Sequence, residues 1–158
     1  MEASRVASEA DVPRLVELAT EALAELTPTR GGAIYSRREG RRPPFADRLV
    51  DEVRSPDHLV VMGTIDDIAL GYGVVALESL HDESRLGVVS DLFVDPEARG
   101  VGVGEAMMDQ IVAWCEKHGC VGVDALALPG NRHTKNFFET FGLVARAIVV
   151  HRPLGPPA

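Results

Sequence analysis

The chain has 158 residues, which is enough for one complete hydrophobic core and too few for two ordinary domains. Apolar residues make up 46% of the sequence and charged residues 25%, a balance typical of a globular protein rather than a disordered one. The net charge of −8 argues against nonspecific nucleic-acid binding, because an acidic surface repels a polyanion.

The composition also predicts the compartment. The first residues, Met1–Arg5, do not begin an uninterrupted apolar run of the kind that a secretory signal needs. No window approaches the roughly 20 apolar residues of a bilayer span, so we expect no membrane contact and a cytoplasmic protein. Cys115 and Cys120 are not spaced as C-x-x-C, which favours two reduced thiols, and no metal site is expected.

The N-terminal part of the chain predicts one strand and two helices. A short strand near residues 5–7 precedes a helix from Ser8 or Asp11 to about Glu25, whose apolar residues recur at helical spacing. A second helix is predicted at about residues 45–54. Glycine and proline pairs punctuate the segment between the two helices, residues 29–44, which is predicted to be a long loop.

The remainder alternates between strand and helix patterns. Strands are predicted at residues 58–63, 68–77, 85–94, 121–128 and 143–152, and helices at 102–118 and 131–141. The order β-α-α-β-β-β-α-β-α-β indicates an α+β fold with a mixed sheet covered by about four helices. No linker divides the chain, so we expect a single domain over residues 1–153 and a loose C-terminal tail at 154–158.

Arginine is concentrated in the predicted loop. Residues 30–42 hold five arginines and one acid, a local charge of +4 that leaves −12 for the rest of the chain. One interpretation is a solvated, mobile loop. The alternative is a surface that collects a substrate bearing a carboxylate or a phosphate group, in which case a polyamine would be repelled.

One segment has the pattern of an anion-binding site. A buried strand ends in a turn at Pro96, and Arg99, Gly100, Gly102 and Gly104 follow before an amphipathic helix begins. Glycines allow successive N–H groups to face one point, and the helix N-terminus adds partial positive charge, so a pyrophosphate is the expected ligand. The spacing matches neither the dinucleotide fingerprint nor a P-loop, and the alternative is a tight turn that only permits close helix packing.

The same segment resembles a known family. Arg99–Gly104 is similar to the R/Q-x-x-G-x-G/A pyrophosphate loop of the GNAT N-acetyltransferases, and Leu92–Glu97 is similar to the strand and turn before that loop. Residues 119–128 and 131–143 resemble the family's fifth strand and the helix after it. The resemblance implies a mixed sheet of about six to seven strands, with a splay between the fourth and fifth strands, and acetyl-CoA as co-substrate.

The resemblance also implies the residues that bind the co-substrate. The backbone of the strand residues would pair with the pantetheine arm, and the N–H group of Val94 would polarise the thioester carbonyl. Asn131 would bind the pantetheine arm or cap the last helix, and Phe138 would pack beside the acyl arm. The cofactor-binding residues implied in this way are Leu92, Phe93, Val94, Arg99, Gly100, Val101, Gly102, Val103, Gly104, Asn131 and Phe138.

The catalytic groups depart from the family pattern. Phe138 occupies the position where many GNAT enzymes have a tyrosine that protonates the leaving thiolate, and a phenyl ring donates no proton. Relatives that acetylate polyamines often have Glu-Asp where this chain has Ser90-Asp91, and Asp91 replaces that glutamate only if a β-bulge re-aims it. The candidate catalytic residues are therefore Asp91, Glu78 and His81.

Two functions are consistent with these residues. The first is an N-acetyltransferase in which a primary amine of a small molecule attacks the thioester of acetyl-CoA directly, and in one interpretation of the arginine-rich loop this molecule carries an anionic group. The second is an acyl-CoA sensor or a catalytically inactive binding subunit, suggested by the absence of the usual tyrosine and glutamate. A longer acyl-CoA is a third option for the donor. A homodimer is expected by analogy, because many relatives form dimers.

Overall fold

The structure is a computed structural model that describes residues 1–129 and 131–155. Its centre is one sheet of five strands in the order β1-β2-β3-β4-β5. Strands β1 to β4 pair with one another in antiparallel orientation, and β5 pairs in parallel with β4. The strands are β1 (Glu2–Val6), β2 (His58–Ile65), β3 (Ile68–Ser79), β4 (Arg85–Val94) and β5 (Gly122–Ala125).

Five α-helices and two short 3-10 turns complete the described chain. The 3-10 turns span Glu9–Asp11 and Pro96–Ala98. The helices are α1 (Val12–Leu26), α2 (Gly32–Tyr35), α3 (Ala46–Arg54), α4 (Val103–Lys117) and α5 (Arg132–Thr140). In the described ranges, no helix has both the length and the hydropathy to cross a bilayer.

The sheet separates two layers of helices. In β2, Val60 and Met62 pack with α1 and α3, while Leu59 and Val61 pack with α4 and α5 on the other face. Because both faces are covered, the central strands are continuous apolar runs rather than alternating ones. The predicted α+β class and mixed sheet are thus confirmed.

The strand count differs from the prediction. The structure has five strands, so the expected six to seven are not confirmed, and residues 143–152 do not form the predicted final strand. The reason is that β5 is only four residues long and the chain after Gly142 makes no ladder with it in the described residues. Of the predicted loose tail, residues 154 and 155 are exposed, and residues 156–158 lie outside the described residues.

The arginine-rich segment is also more ordered than a loop. It contains the short helix α2, whose N-cap is the left-handed residue Gly31, with φ of +83°. A side chain at Gly32 would meet the carbonyl oxygen of Leu26 at 1.8 Å, so only glycine allows this turn to pack on the end of α1.

Candidate active site

The parallel ladder between β4 and β5 is short. It joins residues 86–89 of β4 to residues 122–125 of β5 and ends there, although β4 continues to Val94. Beyond Val89 the two described strands no longer pair, and a gap opens between them. This is the position at which the family resemblance predicts the strands to splay.

A cavity of about 960 Å³ occupies this gap. It reaches from the C-terminal half of α1 and the segment around Tyr35, past β4, to the N-terminal turns of α4 and α5. Its volume lies within the usual range for small-molecule sites. Residues 88–94 of β4 form one wall, so the backbone that β5 leaves unpaired faces the cavity.

A β-bulge at Ser90 changes the direction of the side chains along this wall. Val74 of β3 is opposite Asp91, while Val75 is opposite Val89, so Ser90 is the extra residue. Val89 packs on the α4 face, whereas the side chain of Asp91 lies on the opposite face with α1 and α3. The sequence alone did not decide whether β4 has a bulge here. The structure has one, and it directs Asp91 to the cavity.

Asp91 is the centre of a buried polar cluster. Arg41 donates to both of its carboxylate oxygens, from Nε at 3.1 Å and from Nη2 at 2.8 Å. The hydroxyl groups of Tyr72 and Ser90 donate to it at 2.6 Å each. Arg41 also donates to Glu52, at 2.6 and 2.9 Å. The carboxylate of Asp91 thus accepts four hydrogen bonds within the protein, which fixes its position.

Burial and charge shift the ionisation of this cluster. Burial raises the pKa of Tyr72 well above its usual value, and the neighbouring Asp91 raises it further. Burial disfavours the charged guanidinium of Arg41, but its hydrogen bonds to Glu52 and Asp91 more than offset this effect and raise its pKa. Tyr72 is therefore a neutral donor, and Arg41 is a permanent cation shared by two carboxylates.

The glycine-rich segment lies at the other end of the cavity. Gly100 and Gly102 have left-handed φ values of +80° and +103°, and Gly102 is the N-cap of α4. Gly100 and Gly104 line the cavity, and a Cβ at Gly104 would lie 3.2 Å from the ring of Phe137. Val101 is exposed, whereas Val103 is buried in the core. The segment thus places the first backbone N–H groups of α4 at the cavity.

Arg99 is engaged within the protein. Its Nε donates to the carbonyl oxygen of Val94 at 2.8 Å, and its Nη2 donates to the carboxylate of Glu25 at 2.7 and 3.0 Å. The guanidinium also lies 5.4 Å from the centre of the Phe93 ring. Sequence reasoning did not identify Glu25, because this partner lies 74 residues away in the chain.

Helix α5 closes the remaining side. Phe138 is 6% exposed and lines the cavity together with Phe137. Asn131 also lines the cavity, and its side chain accepts a hydrogen bond from the N–H group of Thr134 at 3.2 Å. Asn131 is therefore the N-cap of α5, as one of the two interpretations predicts.

The other two candidate catalytic residues lie elsewhere. Glu78 is exposed near the end of β3, and His81 is exposed in the turn that follows. Neither contributes to the described lining of the cavity, which includes Asp91 of the three candidates. Sequence reasoning missed four acidic residues of the lining, which are Glu25, Glu39, Glu105 and Asp124. In the described ranges, no group of three His, Cys, Asp or Glu side chains is arranged to hold a metal ion.

The sequence model of the acetyltransferase (GNAT) family matches residues 17–143, most of the chain. The chain belongs to the GNAT acetyltransferase family. The resemblance found in the sequence is thereby confirmed, and so is the acetyltransferase class. No curated protein sequence matches the chain significantly.

Solved structures of GNAT-like fold cover nearly the whole chain. The tetramutant of the BH1408 protein from Bacillus halodurans has a TM-score of 0.80 at 22% identity, covering 96% of this chain and 99% of that chain. An aminoglycoside acetyltransferase from an uncultured soil metagenomic sample, in complex with sisomicin, has a TM-score of 0.70 at 17% identity, covering 99% and 97%. Glucosamine-6-phosphate N-acetyltransferase from Arabidopsis thaliana has a TM-score of 0.68 at 22% identity, covering 98% and 99%. These similarities show that this GNAT chain shares their fold.

Proposed function

We propose that this GNAT protein is an N-acetyltransferase that transfers the acetyl group of acetyl-CoA to a primary amine of a small molecule. The observation that carries the proposal is the gap between β4 and β5. Its cavity joins an unpaired strand edge at residues 90–94 to the glycine-rich start of α4. An extended amide-containing arm fits the first feature, and a pyrophosphate fits the second.

The residues present fit acetyl-CoA. Gly100 and Gly104 leave space at the loop where a larger residue would intrude, and α4 begins there with free N–H groups. The unpaired edge of β4 supplies the donors and acceptors for the pantetheine arm, with Leu92, Phe93 and Val94 as the proposed contacts. Asn131 and Phe138 border the same space. When bound, acetyl-CoA supplies the thioester that is the acyl donor.

The protein's own groups would orient the reactants. The N–H group of Val94 is proposed to donate to the thioester carbonyl, which stabilises negative charge there. Asp91 is proposed to hold the acceptor side of the site in shape, because its four hydrogen bonds fix the wall of the cavity. Glu78 and His81 stay predictions as proton acceptors, and each would have to reach the cavity from the exposed end of β3.

The acceptors of the structural neighbours also support an amine. The names of two of them specify aminoglycosides and glucosamine 6-phosphate as substrates. Because these two acceptors differ in charge, neither one is assigned to this chain.

Thermal unfolding and thiol release test the proposal. Acetyl-CoA should raise the melting temperature of the pure protein, since a ligand that binds only the native state stabilises it, and NAD should not. The Gly104→Val variant should lose this stabilisation because its side chain fills the cavity beside Phe137. Ala113→Val, at an exposed position of the same helix, is the matched control.

Thiol release then separates an enzyme from a sensor. Release of CoA that depends on an added amine would support the transferase. Stabilisation by acetyl-CoA without release for any amine would instead favour the acyl-CoA sensor. No stabilisation by CoA, acetyl-CoA or longer acyl-CoAs would overturn both functions.

A further inference from the structure

The cavity has chemically different ends on the two faces of the sheet. On the α4 and α5 face its walls are apolar and include Leu92, Val94, Phe137 and Phe138. On the α1 and α3 face the lining includes the polar side chains of Tyr35, Glu39 and Asp91 beside the apolar ones of Ala22 and Leu26, and we call this the polar end. The ladder places Asp124 of β5 opposite Val88, on the same face as Asp91. If the proposed function is correct, acetyl-CoA occupies the apolar end and the acceptor enters from the polar one.

The polar end has an excess of negative charge. Three carboxylates line it, those of Glu39, Asp91 and Asp124. Arg41 neutralises Asp91 only in part, because it also pairs with the buried carboxylate of Glu52. Arg146 pairs with Asp124 through its Nε at 2.8 Å.

Glu39 is the least neutralised of the three. Its nearest cation is Arg38, with Nε at 3.5 Å from the Glu39 carboxylate and a side chain that is 73% exposed to solvent. An ion pair of this length at an exposed position is weak. The carboxylate of Glu39 thus remains available to a ligand in the cavity.

The arginine-rich segment does not reverse this balance. Arg30, Arg37, Arg38 and Arg42 are exposed, and Arg41 is committed to Glu52 and Asp91. The described lining receives from this segment only Tyr35 and Glu39. Burial raises the pKa of Tyr35, and the charges of Asp91 and Glu39 raise it further, so the phenolic hydroxyl stays neutral.

We infer that the acceptor is a molecule with at least two amino groups, of which one is acetylated while another stays protonated and pairs with Glu39. This inference rests on the proposed function and names its substrate class. The neutral amine attacks the thioester carbonyl, so a C–N bond forms and the C–S bond breaks. The proton that the nitrogen loses is balanced by the proton that the CoA thiol gains.

A second ammonium group helps the reaction in two ways. It is attracted to Glu39, and it lowers the pKa of the neighbouring amine of the same molecule, which increases the neutral fraction that attacks. An acceptor with a carboxylate or a phosphate in the same place would instead be repelled by Glu39, the least neutralised carboxylate of the polar end. The cavity therefore disfavours the anionic acceptor that the arginine count alone suggests.

Three acceptors of equal chain length test the inference: n-butylamine, α,ω-butanediamine and ω-aminobutanoate. They share an aminopropyl unit and differ in the group that follows it, which is a methyl, a protonated aminomethyl or a carboxylate group. The expected order of kcat/KM is diamine, then monoamine, then amino acid, with about a tenfold step between the first two at low salt. The step should shrink as salt is added, because part of the site is open to solvent.

The variant Glu39→Gln should remove most of the advantage of the diamine over n-butylamine, because a neutral amide no longer forms an ion pair with the second ammonium group. Glu116→Gln is the matched control, since it makes the same change of charge at an exposed position of α4. Equal losses in the two variants, or a preference for the amino acid, would overturn the inference.

A binding measurement separates this inference from the proposed function. Calorimetric titration of the diamine and of the amino acid into the protein with CoA needs no turnover. Binding of the diamine that Glu39→Gln weakens supports the contact between Glu39 and a second amino group, even if no thiol is ever released and the transferase proposal fails. Thiol release from other amines without tighter binding of the diamine than of the amino acid overturns the inference and leaves the transferase standing.

Discussion

Arg41 and Asp91 are 50 residues apart in the sequence, yet the guanidinium of the first donates to both carboxylate oxygens of the second, at 2.8 and 3.1 Å. Their side chains are 9% and 8% exposed. Through this pair the arginine-rich segment is attached to β4, directly at the wall of the cavity. Loss of this pair should therefore both destabilise the fold and disturb the acceptor side of the cavity.

The Arg41→Ala variant should be strongly destabilised. It leaves the carboxylates of Asp91 and Glu52 buried without their shared cation, a change that costs about 3–5 kcal/mol in comparable cases. Denaturant unfolding measures this loss as a lower midpoint. Arg38→Ala, which removes an arginine that is 73% exposed, should change the free energy of unfolding by less than about 0.5 kcal/mol. Similar midpoints for the two variants would show that the cluster is not important for stability.

Alkaline pH should destabilise the protein through Cys115. The side chain is 1% exposed, and burial raises the pKa of the Cys115 thiol from 9.0 to about 12. Above pH 9 the thiol ionises in the unfolded chain but stays protonated in the folded one, so the free energy of unfolding falls as pH rises towards the folded pKa. The slope for one such group is up to about 1.4 kcal/mol per pH unit.

The variant Cys115→Ala should flatten this dependence. The difference is clearest between pH 9 and pH 10, below the usual pKa of the tyrosines. Above that range Tyr72 adds a second loss of the same sign, because its pKa is also raised by burial and by Asp91. Identical slopes in denaturant titrations of the two proteins between these pH values would contradict the assignment to Cys115.

The segment from β4 to α4 could be predicted because its signals are local. The strand pattern, Pro96, the alternate glycines and the helical stripe are read within a short stretch of sequence, and the structure has the strand, the turn and the helix there. The partners of Asp91 and Arg99 could not be predicted in this way. Arg41 and Glu25 are brought to them by the packing of other elements, and no spacing rule connects the members of each pair.

The predicted final strand, at residues 143–152, is an element that the local pattern favours and the structure does not have. Residues 148–150 are β-branched and have high β propensity, and on this basis a strand is predicted at residues 143–152. Propensity expresses how well a residue fits a pleated surface, and a strand also needs a neighbour to pair with. The structure provides none for this segment in the described residues, so the apolar side chains stay exposed.

Alanine substitutions at Gly100 and Gly119 distinguish an effect on acetyl-CoA binding from an effect on stability. Gly100 and Gly119 have φ values of +80° and +70°, and no atom lies within 4 Å of a Cβ at either position. Alanine at each site should therefore cost about 1–2 kcal/mol of stability through backbone strain alone. Gly100 lines the cavity, whereas Gly119 ends the turn after α4.

Only Gly100→Ala should also weaken the binding of acetyl-CoA, by about tenfold. The substitution rotates a backbone N–H group, which then no longer donates to the charged phosphate. Isothermal titration of both variants measures this difference. If both lose the same affinity, the effect is one of stability and the loop is not the phosphate site.

Glu25 should reduce the affinity for acetyl-CoA. It pairs with Arg99 at 2.7 Å and places a carboxylate at the end of the cavity where the phosphates are proposed to bind. Glu25→Gln frees the guanidinium and removes one repulsive charge, so we expect the dissociation constant to fall about two- to fivefold at low salt. Titrations at increasing ionic strength should show the gain disappear. Weaker binding in this variant would indicate that Glu25 positions Arg99 instead of competing for it.

The C-terminal segment predicts self-association. Val144, Ile148, Val149 and Val150 are 77–89% exposed, a run of apolar side chains that monomers rarely leave in water. The segment includes two arginines and no acid between residues 144 and 154, while the chain as a whole has a charge of −8. Arg146 holds it beside β5, at the edge of the sheet. A second copy of the acidic chain is complementary to it in charge and offers the same open edge.

We expect the full chain to be a dimer in light scattering coupled to size-exclusion chromatography. The double variant Ile148→Lys and Val150→Lys should be monomeric, because lysines on one side of an extended segment block strand pairing. Ile68→Lys, at an apolar residue that is 62% exposed at the start of β3, should remain a dimer. A full chain that is monomeric at every concentration tested would contradict the prediction. Dissociation by Ile68→Lys as well would place the interface elsewhere on the sheet.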